Sequence, residues 1–82
     1  MNRVVSFKKL WHRLIDRDMN KTDLKRIAGI SSSTLASMVA DRYVSLNVLV
    51  RICSALDCDF SDIMEAIPDE RQNEGKHLQQ NK

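Results

Sequence analysis

Eighty-two residues, 43% hydrophobic and 29% charged, have the make-up of one soluble globular domain and leave no length for a second. Two Gly and one Pro supply few turns, which favours helices with short connections over a many-stranded sheet, and no apolar run nears the roughly 20 residues that cross a bilayer. The net charge of +2 is unevenly spread: residues 1–42 carry nine Lys/Arg against four Asp, and residues 43–82 carry four Lys/Arg against seven Asp/Glu, so one end is basic enough to dock on phosphates and the other is acidic.

Met1 to Phe7 holds one basic residue and a short apolar stretch broken by Ser6, which is no secretory signal; a cytoplasmic, nucleoid-associated protein is expected. Phe7, Leu10, Trp11, Leu14 and Ile15 then fall on one face of a helix, predicted from Phe7 to Arg17 with Ser6 as its N-cap. Asn20, Lys21 and Thr22 interrupt the pattern. Thr22 is read as the cap of a short second helix with Asp23 in its first turn and Leu24, Ile27 and Ala28 facing in; Gly29 ends it and Ile30 follows as a buried plug.

Ser31 caps the third predicted helix, Ser32 to Val39, with Leu35, Met38 and Val39 inward. Its other face carries Ser32, Ser33, Thr34 and Ser37. So many hydroxyls make a poor intrinsic helix, which neighbours must hold, and they leave a polar side free for function. Ala40 to Val44 is a loop, and Tyr43 in it either meets a ligand or packs on the next helix. Ser45 caps a fourth helix whose apolar face holds Leu46, Leu49, Val50, Ile52, Cys53 and Leu56. Asp59 caps a fifth, with Phe60, Ile63, Met64 and Ile67 inward and Pro68 as its end. Residues 1–68 are thus expected to form the domain, and residues 69–82 a polar, disordered tail. Cys53 and Cys58, five residues apart, point to different faces if helical; Cys53 is read as a small core hydrophobe, and no metal site is expected.

The informative feature is the spacing Thr22-x-Leu24-x-x-x-x-Gly29-Ile30-Ser31-x-x-Thr34-Leu35-x-x-Met38: a capped helix, a tight turn and a second capped helix, locked by apolar residues at a steep angle. That is a helix-turn-helix, whose second helix fits a major groove about 12 Å wide. The stretch MNKTDLKRIAGISSSTLASM resembles the helix-turn-helix of Cro/CI-type phage and bacterial regulators. VSLNVLVRICSALDCDFSDIMEAIPDE resembles the last two helices of a small single-domain branch of that family, and KLWHRLIDRDM is similar to the opening of small regulators carried in some enterococcal vancomycin-resistance operons. The resemblance spans about residues 7–70 and implies an all-α, five-helix DNA-binding domain. It implies base contacts at Ser32, Ser33 and Ser37 with Thr34 beside them, and phosphate contacts at Lys21, Thr22, Ser31, Arg42 and Tyr43. The chain departs from the family pattern at two places: Ser32 stands where Gln or Arg is frequent, and Lys25 where Ala is frequent.

The expected function is sequence-specific binding of double-stranded DNA by a homodimer, with repression by promoter occlusion as the simplest outcome; activation through the acidic helices is the other. The dimer surface is either the fifth helix or the Val4-Val5 arm paired with its twin as a strand. A protein-interaction module on the same fold, such as an antitoxin or the accessory partner of another regulator, is the alternative, and weak hydroxyl readout suits it. An enzyme is not expected: there is no Gly-rich phosphate loop, no nucleophile–base–orienter set near His12, and no cofactor, catalytic residue or small-molecule ligand is implied.

Overall fold

Four helices and a two-stranded sheet, rather than five helices, make up residues 2–69, the part of the chain that the computed structural model describes. The order is β1 (Arg3–Ser6), α1 (Lys8–Asp16), α2 (Lys21–Ala28), α3 (Ser32–Val39), α4 (Leu46–Leu56), a single 3-10 turn (Phe60–Asp62) and β2 (Glu65–Pro68). The expected tail beyond Asp69 lies outside the described residues. Among those residues no helix is long and apolar enough to cross a membrane.

The N-terminal capping differs from expectation by one step at α1 and two at α2. Phe7, not Ser6, holds the N-cap position of α1 and has no side-chain cap bond. Ser6 ends β1 instead, and its Oγ still accepts from the Lys8 N–H at 3.3 Å. Asn20, not Thr22, caps α2: its side chain accepts from the Asp23 N–H at 2.8 Å while the Asp23 carboxylate accepts from the Asn20 N–H at 3.0 Å. This reciprocal pair satisfies two donors that a helix start leaves open. The Asn20 N–H, and after it Arg26, hold the Asp23 carboxyl below the usual aspartate range. Ser31 and Ser45 cap α3 and α4 as expected, accepting from the N–H groups of Thr34 and Val48.

Gly29 ends α2 at φ 66°, and the N–H groups of Gly29 and Ile30 both donate to the Lys25 carbonyl. A Cβ built there meets nothing within 4 Å, so a Gly29→Ala change has no clash and costs only the left-handed backbone, about 1–2 kcal/mol. A thermal melt of that variant should fall by about 4–8 °C per kcal/mol, with Gly29→Asn falling less because asparagine tolerates this conformation better. With glycine so scarce, aspartates take the other left-handed positions: Asp18, Asp41 and Asp57.

Leu10 and Leu14 of α1, Leu24 of α2, Met38 of α3, Ile52 and Leu56 of α4 and Ile63 form the buried centre with Phe7. The apolar faces are narrower than the sequence stripes. Ile15 is 70% exposed, because each helical residue turns about 100° from the last and Leu14 already faces the centre. The same step puts Ile27 beside buried Ala28, and Val39 beside buried Met38, at the surface. Leu46 and Val50 are exposed too; Leu49, Ile52 and Leu56 carry the buried face of α4.

The predicted fifth helix does not form. Asp59 caps one 3-10 turn, Ile63 is buried, and the chain then extends into β2. Two forces favour this. Ile67 precedes a proline, which disfavours the helical region, and the β-branched Val4 and Val5 offer a partner edge. The strands run antiparallel with Arg3 opposite Pro68, Val4 opposite Ile67, Val5 opposite Ala66 and Ser6 opposite Glu65. The Val4-Val5 arm is therefore a strand, as expected, but its partner is β2 of the same chain; a twin strand could use only its outer edge. Arg13 to Asp62 at 3.5 Å and Lys9 Nζ to the Ser61 carbonyl at 3.1 Å tie α1 to the 3-10 turn.

The cysteines also sit otherwise than a continuous helix implies. Asp57 turns the chain back at φ 52°, so the Cys58 N–H donates to the Cys53 carbonyl. Burial, and then the neighbouring Cys58, push the half-buried Cys53 thiol up to about 11. It remains a protonated apolar group packed against the core, as read from the sequence.

Candidate nucleic-acid interface

The eight residues of α3 bury one side chain fully, Met38, and rest Leu35 half-buried on the core. That anchors the helix and turns Ser32 and Ser33 to the surface, with Thr34 and Ser37 half-exposed at the flank. All four predicted base-reading residues thus lie on one helix, with Ser32 and Ser33 outward and Thr34 and Ser37 only partly exposed. The first turn of α3 contains no acidic residue, so its unpaired N–H groups and positive dipole end face outward without a local carboxylate to oppose an anion.

Hydroxyl chemistry at this end is ordered. Ser31 Oγ accepts from the Thr34 N–H at 3.1 Å and donates to Thr34 Oγ1 at 2.9 Å. Its one hydrogen is then used, so Ser33 donates in the 3.2 Å contact between their oxygens and keeps its lone pairs free. Ser31 is therefore the cap, as expected, while the hydrogen that the expected phosphate contact would need is engaged by Thr34.

Of the predicted phosphate-contact residues, Lys21 and Thr22 lie exposed in the first turn of α2, and Arg42 and Tyr43 are exposed in the loop after α3. Thr22 has no capping role there. The Lys21 ammonium stands 4.9 Å from the centre of the half-buried Trp11 ring, which restrains its direction. Tyr43 is 78% exposed, so of its two expected roles the packing one is not realised. Its ring borders a hollow of about 300 Å³ shared with Ser33, Thr34, Ser37 and Val48.

Three supports of this face went unread in the sequence. Asp41 Oδ1 accepts from the Phe7 N–H at 3.1 Å, tying the loop after α3 to the start of α1. Arg51 of α4 donates to the Gly29 carbonyl at 3.1 Å and pins the turn between α2 and α3. Lys25 Nζ donates to Ser32 Oγ at 3.0 Å. Each joins segments 7 or more residues apart, so local periodicity carried no signal; a charged residue at a helix crossing, Lys25, was the one visible hint.

Residues 9–69 match the family model for the Cro/C1-type HTH DNA-binding domain. No curated protein matches the chain. Among solved structures, the crystal structure of transcriptional regulator VanUg, Form II, aligns with a TM-score of 0.81 and 49% sequence identity, over 84% of this chain and 92% of that one.

Proposed function

The chain belongs to the Cro/C1-type helix-turn-helix DNA-binding family, and from that premise we propose that it is a repressor that binds a specific duplex as a homodimer with α3 in the major groove. The family and its likeness to a transcriptional regulator make this a DNA-binding, transcription-regulating domain. The observation that carries the finer reading is the outward hydroxyl side of α3, anchored from behind by Met38 and free of acidic residues in its first turn.

In this reading Ser32, Ser33 and Ser37 meet base edges with Thr34 beside them. Lys21, Thr22, Arg42 and Tyr43 hold the phosphates on either side, joined by Ser31 once its hydrogen turns from Thr34 to a phosphate oxygen, which fixes the helix in register. One short helix reads few bases, and two copies on half-sites about one helical turn apart supply the missing specificity. A DNA-binding domain of this kind represses most simply by covering a promoter.

Gel-shift titration of the full chain against its own upstream DNA tests this. Lys21 and Arg42 of two protomers neutralise four phosphates, so affinity should fall on the order of 100-fold between about 50 and 200 mM salt. A specific complex with twofold stoichiometry supports the reading. Absence of any specific complex at low salt refutes it.

A further inference from the structure

We propose that Lys25 and Ser32 act as one guanine-reading pair, with Lys25 reaching from α2 to the tip of α3. The inference rests on α3 entering the major groove and names what its first position recognises.

The pair is visible as a contact. Lys25 is half-buried, so its stem lies along the helix crossing and its ammonium is delivered 3.0 Å from Ser32 Oγ, at the first residue of α3. An ammonium has three donors and no acceptor, so Ser32 must accept and its own hydrogen points elsewhere. A serine alone can donate or accept and discriminates poorly. Here the neighbour occupies one of its two lone pairs, which biases the hydroxyl toward donating. Two further ammonium N–H groups remain, and neither of the two ion pairs among the described residues involves Lys25.

Position 32 therefore presents chiefly donors: the two remaining ammonium N–H groups and the Ser32 hydroxyl hydrogen. In the major groove guanine alone offers two adjacent acceptors, N7 and O6; adenine pairs an acceptor with a donor, thymine an acceptor with a methyl, and cytosine shows a donor. Electrostatics points the same way. Lys25 sits in the last turn of α2, where the dipole favours a cation, while its ammonium ends beside the α3 N-terminus, where the dipole opposes one; an electron-rich edge in front of α3 relieves that second contact. The two departures from the family pattern, at Lys25 and Ser32, are in this light one substitution: the long donor side chain, Gln or Arg, that the resemblance leads one to expect on α3 is supplied from α2 by Lys25.

The test selects duplexes from a randomised pool with the full chain. It then measures affinity for all four base pairs at each selected position with wild type, Lys25→Met, Ser32→Ala and the double variant. Wild type should demand G·C at one position per half-site. Lys25→Met should cut that preference about tenfold or more, Ser32→Ala should weaken it at the same position, and the double variant should lose little beyond the larger single loss. A uniform loss across all base pairs, with a shallower salt slope, makes Lys25 a phosphate contact and overturns the proposal, as does unchanged preference. Circular dichroism establishes that Lys25→Met folds. Should it not, Ser32→Ala alters only an exposed hydroxyl and decides alone: unaltered preference at every G·C position overturns the proposal. If the wild-type chain selects no duplex, the DNA-binding reading falls and this one with it, a result distinct from selection that ignores Lys25.

Discussion

Ser33→Glu should abolish specific duplex binding while leaving the helical circular dichroism signal and the melting temperature at or slightly above those of wild type. The two effects have opposite signs because the charge meets two different fields. Position 33 is exposed in the first turn of α3. A carboxylate there complements the dipole and stabilises the helix by about 0.3–1 kcal/mol, which offsets the lost contact to Ser31. In a complex the same carboxylate lies against phosphate-flanked base edges, and like-charge juxtaposition of that kind costs several kcal/mol. Affinity should therefore drop at least roughly 100-fold in a gel shift, with the variant folded throughout. Binding that survives in a folded variant would show that another surface reads the DNA. Few substitutions separate stability from function so cleanly, because most changes that block binding also damage the fold.

The parts of this molecule that could be read in the sequence are those fixed by local chemistry. Ser31, Gly29 and Ser45 mark helix ends through bonds to residues three or four positions away, and all three do so in the fold. The hydroxyl side of α3 could be read because Leu35 and Met38 define its opposite. The sheet could not: Val4 meets Ile67 across the whole domain, and neither four-residue strand carries a turn signal linking it to the other. Phe60, Ile63 and Met64 keep helical spacing yet serve a 3-10 turn, since a run of three apolar residues fits either. Asn20 was passed over because Thr22 is equally good cap chemistry; Asp23, three residues after Asn20, fixes the choice by closing the reciprocal bond. The supports of the outward α3 face at Asp41, Arg51 and Lys25 are side chains reaching other segments, a class of contact that periodicity does not encode.

Leu24→Ala carries the largest expected loss of stability. Leu24 is fully buried on α2, the helix that packs against α1, α3 and α4 together. Removing three carbons from such a site costs about 2–5 kcal/mol, since the lost transfer energy is compounded by a cavity its neighbours only partly fill. A domain of this size holds roughly 5–15 kcal/mol in all, and each kcal/mol moves its midpoint by about 4–8 °C, so a fall of about 10–30 °C is expected. Trp11, the single tryptophan and itself packed against the core, reports the transition by fluorescence alongside circular dichroism; coincident curves would mark one cooperative unit. Leu35→Ala supplies the comparison: that side chain is only half-buried on α3, so it leaves a shallower void open to solvent and should cost less. If the two variants melted in the reverse order, α3 rather than α2 would be the helix buried at the centre, and the outward presentation of Ser32 and Ser33 would lose its physical basis.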